Sequence, residues 1–477
     1  MELTSFKFIA LAIGSIFIYY LLSQRYRVWM LNLLSLLFIA SYSYTLLIYV
    51  VAYALMNFLF GWGISSCLNK KVLFRIGLLA NLTQLIILKY SSFAINPFLN
   101  LLGFDIGLTN LSKIFIPIGI SYFTLQGLGY LINIKMGWEK PEMKFQNFLL
   151  YYIFYPKFLS GPVERSNHFL PQLNVQQRFN QAGVTSGLRM ILLGLFKKVV
   201  IANQLALYVN SYYSNIDTEL KPFIWMIIII QPLYLYFDFS GYTDIAIGIA
   251  RIYGINLLPN FNKPFVAENV TNFWKRFHMS LSSWFNDYVF KQISYKRRKW
   301  GLFASVWAMM VTWTLFGIWH GAGWNFMFLG MMQALAILYE FFTKKWRVTL
   351  FLKLPKVVKL WGSRFLTYLF YGTSLLFFFS SDMKSEFAAF PFLFKGGSLF
   401  PGGERIELLI ISLILALVFI SAEVIENDQP EISARIRNLW SGEKSWNRLI
   451  RWVSYFFAVT AILILSNETQ EFIYFQF

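Results

Sequence analysis

Long apolar runs alternate with short polar segments along the chain. About 11 to 12 of these runs have or approach the roughly 17–25 residues that a helix needs to cross a bilayer. They lie near 3–23, 28–43, 45–66, 73–90, 112–134, 184–212, 223–250, 301–319, 323–343, 364–381, 406–425 and 450–466. Since a helix satisfies its own backbone groups in lipid, the pattern predicts an all-α polytopic membrane protein, with one membrane-embedded domain over 1–477.

Lys and Arg are distributed unevenly between the segments that join these runs. If 24–27 is cytoplasmic, alternation places 66–75, 135–183, 251–300, 344–364 and 425–451 inside too, and these segments hold most of the 42 Lys and Arg residues. The outer loops at 91–111, 213–222 and 382–405 hold Lys221, Lys384, Lys395 and Arg405. Because cytoplasmic loops are enriched in basic residues, we expect the N-terminus outside.

One segment conflicts with simple alternation. The run at 184–212 contains Arg189, Lys197 and Lys198. We interpret it as a cytoplasmic amphipathic stretch that leads into a shorter span.

Two further segments depart from the spanning pattern. Residues 148–163, FLLYYIFYPKFLSGPV, are interrupted by Pro156 and Gly161-Pro162, which predicts a re-entrant or interfacial hairpin. In 268–292, aromatic and leucine side chains recur every three to four residues, which predicts one amphipathic interfacial helix. The basic run 296–299 that follows is typical of a solvated anchor at anionic headgroups.

Composition supports a membrane protein. The chain is 57% hydrophobic and only 14% charged, against about 25% charged residues in soluble domains, and its mean hydropathy is +0.53. The net charge of +19 follows from the basic cytoplasmic loops, so we expect no nucleic-acid partner. The single cysteine, Cys67, excludes an intramolecular disulfide, and we expect no metal site.

The stretch 317–325, GIWHGAGWN, concentrates candidate chemistry between two apolar runs. His320 is one of only three histidines, and a histidine within a membrane segment is a functional candidate by default. Small residues surround it, so backbone or substrate can approach closely. Trp319 and Trp324 would supply rigid walls, and Asn325 an amide. A neutral imidazole there can act as a general base or as a nucleophile that carries an acyl group.

The other two histidines are less specific. His278 lies beside the aromatic row of 268–292, where it is either a packed core residue or a second functional group. His168 lies among polar residues, which is typical of a surface histidine.

Two carboxylates occur in the aromatic segment YFDFSGYTDIAIG. Asp238 and Asp244 are six residues apart, which is not a single-face helical spacing, but Gly241 between them can break the helix and bring them together. They either pair with buried basic groups to hold the bundle, or line a polar tunnel and orient a histidine.

Phosphate-binding loops, nucleophile elbows and zinc helices do not occur in the sequence. Several other motifs together carry a family resemblance. GIWHGAGW, FWKRFHMSLSSWF, FYPKFLSGPVERSNHFLPQL, YFDFSGYTDIAIG and the C-terminal FIYFQF resemble the membrane-bound O-acyltransferase family. They are most similar to its bacterial branch that includes alginate O-acetylation proteins. The motif-bearing core covers about 110–345.

The resemblance implies a fold and a site. The fold would be a ring of helices around a central tunnel, with His320 near the bilayer midplane. His320 matches the histidine that acyl transfer requires, and His278 matches a second family position, often Asn elsewhere. The further candidates for lining the tunnel or orienting the histidines are Asp238, Tyr242, Asp244, Trp274, Trp319, Trp324 and Asn325.

The resemblance also implies partners. Cytosolic acyl-CoA, most simply acetyl-CoA, would be the donor substrate, with no permanently bound cofactor. Lys275 and Arg276 would attract its phosphates. The acyl group would leave to a polysaccharide outside, through an extracytoplasmic partner acetyltransferase, and the chain would lie in the bacterial inner membrane. Without the resemblance, composition and spacing leave an enzyme and a polysaccharide or lipid-intermediate transporter about equally open.

Overall fold

The computed structural model describes residues 6–66, 69–91, 93, 119–159, 161–214, 223–351, 353–380, 383–395, 406–442 and 444–466. Cys67, Lys221, Arg405, the C-terminal FIYFQF and most of the loops at 91–111 and 213–222 lie outside these residues. Within them the chain is helical, with one isolated antiparallel bridge between Phe261 and Phe277.

The helices follow the apolar runs closely. In chain order they are α1 Phe6–Leu21, α2 Gln24–Ala40, α3 Tyr44–Ser66, α4 Lys70–Tyr90, α5 Ile120–Met136, α6 Phe145–Ile153, α7 Tyr155–Phe158, α8 Ser166–Leu173, α9 Gln181–Leu195, α10 Asn203–Ser214, α11 Ile224–Ile252, α12 Val270–Trp274, α13 Met279–Phe285, α14 Lys291–Lys296, α15 Leu302–His320, α16 Trp324–Phe351, α17 Lys356–Phe379, α18 Met383–Ala389, α19 Phe392–Lys395, α20 Ile406–Asp428, α21 Pro430–Ser441 and α22 Ser445–Leu465. Short π-helices occupy Phe196–Ala202 and Asn286–Phe290, and 3-10 turns occupy Pro264–Val266 and Arg298–Trp300.

The prediction of an all-α, multi-pass membrane protein is confirmed. Eight helical segments within the described residues are long and apolar enough to span a membrane. They are 44–66, 70–90, 181–214, 224–252, 302–320, 324–351, 406–428 and 445–465. The remaining predicted runs form α1, α2, α5 and α17, so each run coincides with a helix where it is described; 3–5 and 112–118 lie outside the described residues. The ring around a tunnel and the single domain stay predictions.

The chain divides into two compact units. The first contains residues 1–191 and 242–259, and the second contains 192–241 and 260–477. In the first unit, the 148–163 segment is broken as expected: α6 ends at Ile153, Phe154 leaves the helical conformation, and α7 follows. This segment is buried, which satisfies the condition that a broken helix in a membrane protein be covered by protein.

A cluster of charges lies within the first unit. Glu164 is buried, accepts a hydrogen bond from Leu258 N and lies 2.9 Å from His168 Nδ1. This pairing raises the pKa of His168 above its ordinary value. His168 is therefore a partly buried member of an ionic cluster rather than a simple surface residue.

The two lysines of 184–212 do not form the exposed polar face that an amphipathic stretch would have. Helix runs continuously over 181–214, through the π-helix, and both Lys197 and Lys198 are buried. Lys198 is buried because it pairs with Asp238, as described below.

The prediction of a single helix over 268–292 is wrong. α12 and α13 are separate, since the backbone at 276–279 pairs with the extended segment 260–262 instead of continuing the helix. Aromatic periodicity survives on both sides of the break because each short helix still buries one face. The break places His278 between the two helices.

Candidate active site

His320 ends α15, and its neighbouring glycines allow a close helix contact. The side chain is 6% exposed. A Cβ on Gly321 would come within 2.0 Å of the Phe326 ring, and one on Gly317 would come within 2.1 Å of the Phe326 carbonyl oxygen. The glycines therefore let the start of α16 pack directly against α15 around His320, where the sequence had suggested close approach of backbone or substrate.

His278 is held in a strained backbone conformation. Its φ of 48° and ψ of 49° lie in the left-handed region, which costs a non-glycine residue about 1–3 kcal/mol. Two 2.9 Å backbone hydrogen bonds flank it: Asn262 N donates to Arg276 O, and Met279 N donates to Asn260 O. The His278 side chain is completely buried. The paired backbone thus places this imidazole inside the second unit.

The two imidazoles line one small cavity, which we call the inner cavity. Their ring centroids lie 6.5 Å apart, and the cavity volume is about 20 Å³. The other lining residues are Leu235, Trp274, Phe277, Phe316, Leu329, Gly330, Gln333, Tyr371, Leu375 and Phe378. A volume of this size holds about one water molecule.

Aromatic contacts and burial set the state of His278. Its ring makes edge contacts with Phe239 at 4.6 Å and with Trp319 at 6.0 Å between centroids. Burial first, and then the neighbouring His320, hold the pKa of His278 well below its ordinary value. His278 is therefore neutral at physiological pH, and a neutral imidazole offers one donor and one acceptor.

Two larger cavities lie beyond the inner cavity, each sharing lining residues with the one before it. The middle cavity, of about 350 Å³, shares Trp274 and Phe316 with it. The outer cavity, of about 640 Å³, shares its border with the middle one. The shared border residues are Thr271, Lys275, Phe290, Met309 and Ile337.

The lining of these cavities becomes more basic from the inner cavity to the outer cavity. Lys275 lines the middle and outer cavities, and Lys344 and Arg347 line the outer one together with Glu340. A long substrate with an anionic end and an apolar reactive end would match this gradient.

Comparison with known proteins now identifies the family. The model of MBOAT, the membrane-bound O-acyltransferase family, matches residues 139–381, which is half of the chain and includes both histidines. The chain belongs to the membrane-bound O-acyltransferase family.

The curated relatives of this chain are named for their action on several different polymers. A probable alginate O-acetylase from Azotobacter vinelandii is 29% identical over 68% of this chain and 65% of that protein. A peptidoglycan O-acetyltransferase from Helicobacter pylori is 29% identical over 66% of this chain and 63% of its own length. A teichoic acid D-alanyltransferase from Bacillus subtilis is 31% identical over 48% and 60%, respectively. The chain thus matches slightly less than two thirds of each relative.

Some of the predicted site residues of this family member do surround the histidines. Trp274 lines the inner cavity, and Trp319 contacts both imidazole rings. Lys275 lines the middle and outer cavities. Arg276 instead stabilises the turn before His278, since its guanidinium donates to Asn272 Oδ1 at 2.8 Å and to a backbone carbonyl at 3.2 Å.

Asp238 pairs with a lysine and is not among the residues that line the inner cavity. The expectation that Gly241 breaks the helix is wrong, because α11 continues through it. A Cβ there would come within 2.8 Å of Gly194 O, so the glycine serves close helix packing. Asp238 instead lies 2.5 Å from the buried Lys198 Nζ. Tyr242 and Asp244 belong to the first unit, whereas the inner cavity is lined by the second.

Trp324 and Asn325 are not among the residues that line the three cavities. Trp324 is 63% exposed because it is the first residue of α16 and points away from the core. Asn325 is buried, and its Nδ2 donates to Phe377 O at 3.0 Å and Ser380 O at 2.8 Å. It therefore caps the C-terminal carbonyls of α17.

Sequence reasoning missed Gln333, Phe239 and Tyr371. Phe239 and Tyr371 are ordinary core aromatics by sequence. Gln333 carried a signal, since it is an amide within the apolar run 323–343, and polar groups at membrane depth are functional candidates.

Proposed function

We propose that this chain transfers an acetyl group from cytosolic acetyl-CoA to a hydroxyl group of an extracytoplasmic polysaccharide. The observation that carries the proposal is the pair of buried imidazoles, 6.5 Å apart, at the end of three adjoining cavities. Two buried histidines at a small cavity suit proton transfer and charge stabilisation better than bulk passage of a polymer.

His320 has two chemically balanced roles open to it. As a base, it accepts the proton of the acceptor hydroxyl while that oxygen bonds to the thioester carbon. The carbon–sulfur bond then breaks, and the thiolate takes the proton from the imidazolium. As a nucleophile, its ring nitrogen bonds to the carbonyl carbon, the carbon–sulfur bond breaks, and the thiolate takes the proton from the other ring nitrogen. The acceptor hydroxyl oxygen then bonds to the carbonyl carbon, the carbon–nitrogen bond breaks, and the hydroxyl proton returns to the imidazole. Neutral His278 can donate a hydrogen bond to the carbonyl in either case.

The cavities favour acetyl as the transferred group. The phosphates of CoA would meet Lys275, Lys344 and Arg347, and the pantetheine arm would occupy the aromatic middle cavity. The inner cavity, at about 20 Å³, is about the size of one water molecule and therefore favours a small acyl group. A D-alanyl group carries an ammonium, and the described residues that line the inner cavity include no carboxylate to pair with it.

The names of the relatives support the proposed acceptor, an extracytoplasmic polysaccharide. An alginate-like exopolysaccharide or peptidoglycan would receive the acetyl group, through an extracytoplasmic partner acetyltransferase. These relatives are bacterial, which supports the bacterial inner membrane as the proposed location of the chain. The basic cavity lining lies in 251–300 and 344–364, the segments assigned to the cytoplasm, which fits a cytosolic donor.

A donor-consumption assay tests the proposal. The purified full chain would be reconstituted in lipid vesicles together with the extracytoplasmic partner acetyltransferase and with acetyl-CoA labelled in the acetyl group. Thiol release and label transfer to alginate oligomers or muropeptides would then be measured. We expect turnover by the wild type and a loss of at least about 10³-fold in His320→Ala, because the reacting group is removed.

His168→Gln is the matched control, since His168 lies outside the inner cavity and should keep wild-type turnover. Wild-type activity in folded His320→Ala would overturn the proposal. So would polysaccharide flux without thioester consumption, which would indicate a transporter. Preference for a D-alanyl thioester would overturn the acetyl assignment alone.

A further inference from the structure

The amide of Gln333 has a defined orientation in the inner cavity. Its side chain is 1% exposed and lines the cavity with both histidines. Trp274 Nε1 donates to Gln333 Oε1 over 3.1 Å. An indole N–H can only donate, so the carbonyl oxygen of the amide must face Trp274. The amino nitrogen, Nε2, must therefore lie on the other side of the amide, away from Trp274 Nε1.

That amino group has no hydrogen-bond partner among the described residues. Gln333 Nε2 is fully buried and without an acceptor within this part of the chain. Leaving a buried donor unsatisfied lowers stability, because the group gives up its hydrogen bonds to water on folding. The stability lost in this way is explained if the donor acquires its acceptor only during the reaction.

We propose that Gln333 is a catalytic residue whose Nε2 donates a hydrogen bond to the thioester carbonyl oxygen. This role rests on the proposed function. As the attacking atom bonds to the carbonyl carbon, the π electron pair moves to oxygen, and the Gln333 N–H stabilises the resulting oxyanion. When the carbon–oxygen double bond re-forms, the carbon–sulfur bond breaks and the thiolate leaves. The donor retains its proton throughout, so the step needs no further reactant.

Trp274 is the positioning residue for this donor. Without its N–H, the Gln333 amide could rotate and present its carbonyl oxygen to the oxyanion. The Trp274 ring packs against Trp313 and Phe316, each at 5.0 Å between centroids. Phenylalanine would keep part of this packing and lose only the donor.

Steady-state kinetics of the reconstituted full chain with acetyl-CoA test this role. We expect Gln333→Met to lower kcat by about 10²–10³-fold, the usual effect of removing one oxyanion donor. KM should change by less than about threefold, since the bond strengthens mainly in the transition state. Trp274→Phe should lower kcat by roughly tenfold with a similar KM, and it keeps the role testable if Gln333→Met does not fold.

Gln231→Met is the matched control. Gln231 is equally buried, but it donates to Gly372 O at 2.6 Å and accepts from Tyr213 at 2.7 Å, and it does not line the inner cavity. The Gln231→Met variant should lose thermal stability and keep the wild-type kcat per folded molecule. A folded Gln333→Met or Trp274→Phe variant with wild-type kcat would overturn the role of Gln333 alone. If the wild type and His168→Gln release no thiol, the proposed function fails and this role fails with it.

Discussion

Lys198 Nζ lies 2.5 Å from Asp238 Oδ1, and both side chains are buried in the second unit. Removing one member of a buried ion pair leaves a charge in a low-dielectric environment, which costs about 3–5 kcal/mol. We therefore expect Asp238→Asn to lower the unfolding temperature in detergent strongly. Lys198→Met with Asp238→Leu should recover much of the loss, since two apolar groups of similar volume need no partner.

This comparison also separates the two roles that the sequence left open for Asp238. A structural role predicts that the double variant keeps turnover per folded molecule. Loss of turnover in a double variant of wild-type stability would instead show that Asp238 takes part in the reaction.

The basic lining of the outer cavity should act on donor binding. Replacing Lys344 by Glu reverses a charge beside the expected position of the CoA phosphates. We expect KM for acetyl-CoA to rise about 3–10-fold at low ionic strength, with little change in kcat, because such contacts are equal in the ground and transition states. The effect should shrink in high salt, which screens exposed charges.

Lys345→Glu is the matched control for this experiment. Lys345 is the next residue of α16, is also exposed and does not line the outer cavity. Equal KM values for the two variants would show that net charge, and not the cavity, determines donor binding.

The contact between α15 and α16 should be intolerant of a single methyl group. A Cβ on Gly330 would come within 2.2 Å of Trp313 O, and overpacking of this kind typically costs about 1–3 kcal/mol. Since the obstacle is backbone, the helices must separate and move His320. We expect Gly330→Ala to lower both the unfolding temperature and kcat.

Gly362→Ala provides the control in the same class of helix. A Cβ on Gly362 meets nothing within 4 Å, so this variant should gain up to about 1 kcal/mol from helix propensity. If both alanines have the same effect on stability, the close helix contact is not the cause.

Much of the fold was predictable because spanning helices are a local property. An apolar run of sufficient length must satisfy its own backbone groups, so each predicted run formed a helix where it is described. The break at His278 was not predictable in this way. It depends on pairing of 276–279 with 260–262, and aromatic periodicity contains no information about such a distant partner.

The candidate site was predictable where composition singled out residues. His320 and His278 stand out because histidine is rare in this chain, and the structure brings them together. Gly241 misled because glycine permits both a break and a close contact, and only the position of Gly194 decides between them. Trp324 misled because sequence proximity to His320 says nothing about which side of α16 the indole occupies.

His278 should make stability depend on pH in the acidic range. Burial holds the pKa of His278, which lies outside the spanning helices, well below its ordinary value. In the unfolded chain a histidine titrates near 6.5, so below about pH 6.5 the unfolded state binds a proton that the folded state does not. The contribution of His278 to stability is therefore fully present above that pH and decreases as the pH falls, by at most about 1.4 kcal/mol per pH unit.

His278→Asn should flatten this dependence, and Asn also tolerates the left-handed backbone at 278. His168 works in the opposite direction, because pairing with Glu164 raises its pKa. Its contribution is fully present below about pH 6.5 and is lost as the pH rises through the folded-state value. Unfolding temperatures between about pH 5 and 8 check both signs: relative to wild type, His278→Asn should lose less stability on acidification and His168→Gln should lose more. Parallel curves for wild type and His278→Asn would mean that His278 becomes protonated in the folded protein, which its burial beside His320 argues against.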